Sequence, residues 1–397
     1  LHRTGAFLGA TTFGTTAAAE RAIDQVRAIH PRVRGTAPDG PPYLVGHAEF
    51  AMMLFVPLYW LWQSAEMLLT LQAVALGFAA VPLYFFARTQ LTRGAAVVLA
   101  FAYLLYAPMH GSSFYDFHWL PISMFFQFWL YFAIATRKNW LIALSYVTLV
   151  LIREDISVGL TVLGLFLLVT GIRPKLGLFF AICSAITFVG IKFGIMLLAG
   201  PFFFADLYYK QLVAPGEQGF SSVTRSLLTN PAYVIETVLD PRKLNYFLHL
   251  MAPLAFVPLR RAILLLLICS AALFTFLTTA YEPTISISFQ YSAHWIPYLF
   301  AAVVLMLGVI SRRVDGTLRR RAALGALLFG VVTHSYVFGA VMQHQTYVGG
   351  FGSVPFRITA AEKETYAALR KVIAHIPREA SVAATEPEVP HVSKRFS

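Results

Sequence analysis

Two short polar stretches place carboxylates and imidazoles close together in a chain that is otherwise strongly apolar. One stretch is Phe114-Tyr115-Asp116-Phe117-His118-Trp119, and the other is Gly46-His47-Ala48-Glu49. A carboxylate and a histidine held at a membrane surface can take a proton from a substrate and return it. We therefore predict that Asp116, Glu49 and His118 are catalytic and that His47 orients the substrate.

Both stretches also have a purely structural interpretation. A solvated loop with a belt of aromatic rings would have the same residues as the turn at Asp116 and His118. Glu49 comes just before an apolar helix, where a carboxylate complements the positive end of the helix dipole. The sequence alone leaves these alternatives open.

A second group of charges interrupts apolar segments. Arg153-Glu154-Asp155 divides residues 140–169, and Lys192 lies inside a predicted span. Charges at such depth are costly and usually face a polar cavity. We predict that all four residues bind substrate, with Arg153 and Lys192 holding a lipid phosphate. Alternatively, Asp155 caps the helix that begins at Ile156 and Arg153 neutralises either acid, with no function implied. In the same way, Lys192 could simply extend its ammonium group to the surface.

The turn at residues 288–295 adds Tyr291 and His294, which we also predict to contact the substrate, although an aromatic belt explains most of this turn. The sequence contains no HExxH, CxxC or phosphate-loop motif, and Cys183 and Cys269 each lie in an apolar run. We therefore predict neither a disulfide framework nor a metal cluster, and no metal ligands among the site residues. No cofactor is implied with certainty, and a requirement for a divalent metal stays open.

The composition indicates a membrane protein. Of the 397 residues, 58% are hydrophobic and only 13% are charged, which no soluble domain of this length shows. The net charge is +12, but the basic residues occur in twos and threes between apolar runs. This is the topology signal of a multi-pass membrane protein, not a surface for nucleic acid. We predict contact with membrane lipid and none with nucleic acid.

The charge distribution predicts the topology of an all-α polytopic protein. Asp315 is the only one of the 19 acidic residues that falls in a predicted inner loop. Residues 48–62 are too short to cross the bilayer, so we predict an interfacial helix on the outer face. The bundle then has about ten spans, near residues 66–87, 94–109, 119–136, 140–153, 157–172, 176–198, 244–259, 262–280, 295–311 and 322–342.

Three regions follow from this topology. Residues 1–64 form an outer-face loop and the interfacial helix, residues 65–342 the transmembrane bundle, and residues 343–397 the start of a soluble outer-face domain. In the last region we predict a helix at 361–376 and a strand at 380–385. Because the chain starts at Leu1 and stops abruptly at Ser397, we expect a fragment.

Several motifs, taken in order, resemble a bacterial membrane family that is catalogued as a domain of unknown function (number 2079). The resemblance covers most of residues 43–397, and the spacing of the motifs agrees as well as their order. The matching motifs are Tyr43-Leu44-Val45-Gly46-His47, Val56-Pro57-Leu58-Tyr59-Trp60-Leu61, Leu71-Gln72-Ala73, Val81-Pro82-Leu83-Tyr84, Phe114-Tyr115-Asp116-Phe117-His118, Arg153-Glu154-Asp155, Tyr291 with His294 and Ile296-Pro297, Ala380-Ser381-Val382-Ala383, and Pro390-His391-Val392-Ser393 with Arg395.

That family is similar to the GT-C membrane glycosyltransferases, which include protein O-mannosyltransferases and the aminoarabinose transferases of lipid A. The shared layout is a surface helix ending in aromatic residues, a span ending in Arg, an outer turn with an Asp, and a cation-bearing interruption two spans later. The resemblance implies a GT-C-like bundle in the bacterial inner membrane. It also implies a polyprenyl-phosphate-linked sugar as donor and a site on the outer, periplasmic face.

One departure from the GT-C pattern affects the functional interpretation. In those enzymes the acid that activates the acceptor follows a first span and precedes the interfacial helix, whereas residues 1–42 offer only Glu20, Asp24 and Asp39. Either the catalytic acid precedes Leu1, or this member is not an active transferase. The alternatives are a transporter or flippase of a lipid-linked substrate, and a non-enzymatic assembly or sensor protein.

Overall fold

The structure is a computed structural model, and it describes residues 46–199, 208–213, 215–217, 219–376, 382 and 389–392. The chain divides into two compact units. One unit is Tyr43–Leu369, and the other combines Leu1–Pro42 with Arg370–Ser397. Every site residue discussed below belongs to Tyr43–Leu369, which is almost entirely helical.

Apolar helices follow one another with short connections through the first half of the described chain. They are α1 Met52–Leu61, α2 Ala65–Phe78, α3 Ala80–Arg88, α4 Arg93–Leu104, α5 Ala107–Phe114, α6 Trp119–Thr136, α7 Asn139–Ile152, α8 Ile156–Val169 and α9 Pro174–Val189. Helix α9 continues through a π-helical turn, Gly190–Ile195, into Met196–Ala199.

The second half has shorter helices and more irregular turns before two long helices. Its helices are α10 Gly219–Thr229, α11 Pro231–Val238, α12 Pro241–Met251, α13 Ala262–Thr275, α14 Ile296–Ser311, α15 Gly316–Phe338, α16 Ala360–His375 and α17 Val389–Val392. Antiparallel strands β1 Thr346–Gly349 and β2 Gly352–Pro355 form a hairpin.

The prediction of an all-α membrane protein is confirmed at this coarse level. Among the described residues, five helices are long and apolar enough to cross a membrane, or six if the bent pair α4 and α5 counts as one span. Four more apolar helices, α1, α7, α8 and α13, have 10–17 residues. The ten-span count therefore goes beyond what these helix lengths support.

The predicted span at 244–259 is not one helix in the structure. Helix α12 ends at Met251, and two 3-10 turns, Ala252–Leu254 and Val257–Arg260, follow it. Between these turns Ala255 and Phe256 have left-handed backbones, with φ of 50° and 53°. Non-glycine residues seldom adopt this conformation, but Pro253 and Pro258 lie on either side of the pair and were a readable sign of the break.

Helix α14 is the centre of the bundle. The candidate span Gln290–Ser311 contains α14. In the most apolar 18-residue part of this span, 89% of the residues are buried inside the protein. The ring of Phe300 meets the rings of Tyr103 and Tyr106 edge-on, at centroid distances of 5.5 and 5.4 Å. Edge-to-face aromatic pairs of this kind add to the free energy gained by burial. They fix the distance between α14 and the end of α4.

Helices α8 and α9 approach closely because glycines face each other. A Cβ atom on Gly164 would lie 2.6 Å from the carbonyl oxygen of Gly177, and one on Gly177 would lie 2.7 Å from that of Gly164. Small residues let helix backbones come close in a bilayer, where packing replaces the hydrophobic effect. This contact sets the position of α9, and the π-helical turn that continues α9 carries Lys192.

The predicted interfacial helix corresponds to α1. It has no buried residue, and Met53, Trp60 and Leu61 are among its most exposed side chains. An apolar helix exposed along its length is what lipid contact requires, although its assignment to the outer face is still a prediction.

The predicted helix at 361–376 corresponds to α16. The predicted strand at 380–385 lies outside the described residues, apart from Val382.

The charge asymmetry predicts that the hairpin and the loop before α15 face opposite sides of the membrane. Ser353 in β2 and Thr317 at the start of α15 are both exposed. In a background with Cys183 and Cys269 replaced by alanine, we expect a membrane-impermeant thiol reagent to label Ser353→Cys but not Thr317→Cys in intact cells. Permeabilised cells give the positive control for both positions. Labelling of Thr317→Cys in intact cells would refute this topology.

Candidate functional site

Arg153, Glu154 and Asp155 form the break between α7 and α8. Helix α7 ends because Arg153 adopts an extended backbone, with φ of −163° and ψ of 142°. Asp155 is the N-cap residue of α8, but its side chain makes no capping hydrogen bond. All three side chains are buried. The capping role considered for Asp155 is therefore wrong, because its carboxylate has another partner.

That partner is Arg153, in a pair that also reaches His294. The Nε atom of Arg153 donates to Oδ1 and Oδ2 of Asp155, each at 2.9 Å, and Nη2 also donates to Oδ2. The same Nη2 lies 3.3 Å from Nε2 of His294, whose ring stacks on Phe274 at a centroid distance of 4.6 Å. Nε2 of His294 also lies 3.5 Å from Oδ2 of Asp155, so this nitrogen accepts from Arg153 in one tautomer and can donate to Asp155 in the other.

Glu154 forms the second buried pair. Its Oε1 accepts from Lys192 Nζ and contacts His47 Nδ1, both at 3.0 Å, and its Oε2 accepts from the Ala48 backbone N–H at 3.0 Å. The π-helical turn in the α9 segment turns Lys192 towards this carboxylate. Only 6% of Lys192 is exposed, so its ammonium group does not extend to the surface as the alternative supposed.

Together these contacts define the charged cluster: His47, Arg153, Glu154, Asp155, Lys192 and His294. Each cation has a carboxylate partner, so the two ion pairs have no net formal charge. Burying such pairs is costly unless hydrogen bonds complete them, and here backbone and imidazole groups contribute. Acids, bases and cations here lie within hydrogen-bond distance of one another, which is the chemistry needed to hold a polar ligand or to move a proton.

Glu49 belongs beside this cluster. Only 5% of Glu49 is exposed, and its charge acts on Arg153. Asp116 is an exposed residue. The sequence treated Glu49 and Asp116 as equivalent acids, whereas the structure gives them different environments.

His118 interacts with its own turn. Its Nδ1 atom contacts the Asp116 carbonyl oxygen at 2.8 Å, and its backbone N–H donates to Gln72 Oε1 at 2.8 Å. Burial lowers the pKa of His118 to about 4, so the imidazole is neutral at pH 7. Arg153 and His47 act on His118 electrostatically, which places the turn on the same side as the charged cluster.

Tyr291 connects the cluster to a set of tyrosines. Its hydroxyl lies 2.8 Å from the Tyr208 hydroxyl, and the Tyr208 ring meets that of Tyr281 at 5.0 Å. The charge of Arg153 acts on both Tyr208 and Tyr291. Sequence reasoning missed Tyr208 and Tyr281, which lie in stretches without a recognisable motif.

Sequence reasoning also missed the role of Gln72, although a signal for it was present. Gln72 is fully buried in α2, and its Nε2 donates to the Ser112 carbonyl oxygen at 3.1 Å. The Ser112 hydroxyl contacts that of Ser292 at 2.8 Å. A single amide inside an apolar helix needs a partner, and this requirement could have identified it. The resulting chain of hydrogen bonds joins the His118 turn to the start of α14.

Metal binding has no support from the geometry of the described residues. Within them, no group of three or more His, Cys, Asp or Glu side chains is arranged to hold a metal ion.

The buried pair of Glu154 and Lys192 predicts a large effect on stability. Glu154→Gln removes the buried carboxylate that accepts from Lys192 and contacts His47, and breaking such a buried pair costs about 3–5 kcal/mol. Denaturant titration of the purified protein in detergent measures this loss. Combining Glu154→Gln with Lys192→Met should recover part of it.

The matched control for this prediction is Glu217→Gln. Glu217 pairs with Arg225 at 2.7 Å in an exposed position, where a salt bridge contributes about 0–1 kcal/mol. Equal unfolding midpoints for Glu154→Gln and Glu217→Gln would show that the buried pair does not stabilise the fold.

Comparison with known proteins identifies a family without assigning an activity. The model of a family described as predicted membrane protein (DUF2079) matches residues 25–397. No curated protein and no solved structure shows significant similarity to the chain. The match covers both polar stretches, the charged cluster and all the membrane-spanning helices described above. The chain therefore belongs to the DUF2079 family of predicted membrane proteins.

Proposed function

We propose that this protein is a GT-C-like glycosyltransferase that moves a sugar from a polyprenyl-phosphate donor to an acceptor on the outer face of the inner membrane. The observation that carries the proposal is the charged cluster. Residues from four separate chain segments meet there, and the cluster combines acids, bases and cations. Structural ion pairs alone would need neither two histidines nor the neighbouring Glu49. Such a mixture is typical of sites that stabilise charge and transfer protons.

The surroundings of Lys192 suit a substrate with a lipid tail. Lys192 lies in the candidate span Pro174–Leu198. In the most apolar 18-residue part of this span, only 22% of the residues are buried inside the protein. Exposed residues such as Ile186 and Val189 can contact hydrocarbon. A polyprenyl chain beside this helix would bring its phosphate close to the charged cluster.

Arg153 offers a donor for that phosphate. Its contacts with Asp155 and His294 use Nε and Nη2, and Nη1 takes part in no hydrogen bond among the described residues. An arginine fork that is already fixed by a carboxylate loses little further entropy when it binds an anion. In this proposal Glu154, Asp155 and His294 hold Arg153 and Lys192 in place, and Tyr291 contributes a hydroxyl.

Glu49 is the carboxylate best placed to act as the base. In the proposed step, the acceptor oxygen attacks the anomeric carbon of the donor sugar and passes its proton to Glu49. The bond between that carbon and the phosphate oxygen breaks, and the lipid phosphate leaves with the electron pair. The cations stabilise this leaving group, while His47 and His118 orient the reactants.

This assignment predicts unequal effects for the two acids. Glu49→Gln should lower the transfer rate about 10²–10⁴-fold, since it removes a general base while keeping the shape. Asp116→Asn, at an exposed position, should change the rate much less. The measurement follows transfer of radiolabelled sugar from a polyprenyl-phosphate donor by the intact protein in membrane vesicles. Glu217→Gln is the control, at matched expression. If Glu49→Gln retains the wild-type rate, Glu49 is not the base.

A transporter is the second candidate, because broken helices favour it. Helices α4 and α5 meet at a bend of 46°, and the α9 segment contains the π-helical turn. Discontinuous helices are common in transporters that alternate access to a central site. The same vesicles distinguish the candidates. A transferase breaks the bond between sugar and phosphate, whereas a transporter delivers the intact lipid-linked sugar to the other leaflet.

A further inference from the structure

A polar pocket lies apart from the charged cluster. It is formed mainly by helices α11 and α12 and by residues 278–285, which precede α14. Its volume is about 150 Å³. Pockets for drug-sized ligands are roughly 300–1,000 Å³, so this one suits a single ring-sized group. The described residues that line it include Tyr233, Glu236, Thr237, Asp240, Arg242 and Tyr281.

Local structure fixes the walls of this pocket. Asn230 caps α11 by accepting from the Tyr233 backbone N–H at 3.3 Å, and Asp240 caps α12 by accepting from the Arg242 backbone N–H at 2.8 Å. Each cap precedes a proline at the first helical position, which is a strong start signal. Across the pocket, the Gln211 backbone N–H donates to the Thr279 hydroxyl at 3.1 Å. The pocket is therefore formed by defined elements.

The cations of the pocket already have partners. Arg242 donates to Asp240 and to Glu282, with distances of 2.8 Å from Nη2 and Nη1 respectively. Lys243 Nζ donates to the Phe276 carbonyl oxygen at 2.6 Å. With Glu236, the lining has three carboxylates against two cations. A free phosphate would meet excess negative charge, so the pocket disfavours anions.

The remaining groups suit a ligand rich in hydroxyls. Carboxylates accept hydrogen bonds from hydroxyl groups, and these charge-assisted bonds are stronger than neutral ones. Threonine and tyrosine hydroxyls can both donate and accept hydrogen bonds, as the hydroxyl groups of a polyol also do. The rings of Tyr233 and Tyr281 add apolar faces for the C–H side of a sugar ring.

The pocket is also connected to the charged cluster. Tyr281 lines it and packs on Tyr208, whose hydroxyl contacts Tyr291. In addition, the Thr279 backbone N–H donates to the Tyr208 carbonyl oxygen at 2.8 Å. A group in the pocket would thus lie one layer of tyrosines away from the proposed reaction centre.

We propose that this pocket binds a neutral glycosyl unit, which belongs to the acceptor of the transfer. The role as acceptor site rests on the proposed function, whereas the binding of a neutral sugar rests on the pocket alone. Glu236 and Thr237 supply hydrogen bonds to the ligand, and Arg242 holds Asp240 and Glu282 in place.

The test measures binding of simple probes to the intact protein in nanodiscs. Methyl α-D-glucoside, methyl α-D-mannoside and methyl α-D-galactoside represent neutral sugars, and inorganic phosphate and choline represent anions and cations. Saturation-transfer NMR should detect saturable, millimolar binding of at least one hexoside. We expect Glu236→Gln and Thr237→Val each to weaken it at least about threefold, as the loss of a hydrogen bond predicts. Glu217→Gln, outside the pocket, should leave it unchanged.

The outcomes separate this proposal from the transferase proposal. Binding of no hexoside, tighter binding of phosphate or choline, or hexoside binding that neither variant weakens would each overturn the sugar pocket. Hexoside binding weakened by both variants, in a protein that shows no sugar transfer, would support the pocket and refute the transferase. Sugar transfer by a protein that binds no hexoside would support the transferase and refute the sugar pocket.

Discussion

The pairing of buried charges at the break between α7 and α8 is the constraint on which the arrangement of this site depends. Arg153 and Glu154 are adjacent in sequence but turn to different partners, one towards His294 before α14 and the other towards Lys192 and His47. An unpaired charge at this depth would cost more than most single contacts provide. The three surrounding segments must therefore come to the break, and they carry the candidate site with them.

Helix breaks recur near the charged cluster, although the regular helix α2 also buries a polar side chain, that of Gln72. The extended backbone of Arg153 ends α7, the π-helical turn reorients Lys192, and a 46° bend separates α4 from α5. A regular helix can direct polar side chains inward only along one of its faces. At a break in the helix, neighbouring side chains can point in different directions and reach partners on several segments. The site is thus built from the irregular parts of the bundle, and the regular helices hold those parts at fixed separations.

The sequence predicted the unusual depth of four charges better than it predicted their partners. Arg153, Glu154, Asp155 and Lys192 are conspicuous because charge is rare in apolar runs, and burial of all four agrees with that interpretation. Their partners could not be predicted, since Glu154 pairs with residues 38 and 107 positions away. The end of α12 at Met251 is a different case, because Pro253 and Pro258 follow it and could have divided the predicted span 244–259. Local breaks leave a trace in the sequence, whereas the long-range partners of a buried charge do not.

The charged cluster joins two candidate spans, Gln290–Ser311 and Pro174–Leu198, that differ greatly in burial. The candidate span that contains His294 is mostly buried inside the protein, whereas most residues in the apolar part of the candidate span Pro174–Leu198, which contains Lys192, are not buried. Lipid-exposed helices adjust their tilt to the thickness of the hydrocarbon layer, but an enclosed helix is held by its neighbours. The packing of α9 on α8 at Gly164 and Gly177 opposes such an adjustment. A thinner or thicker membrane would therefore strain the contact between α8 and α9 that holds Lys192 beside Glu154, and acyl-chain length becomes a variable that acts on the site.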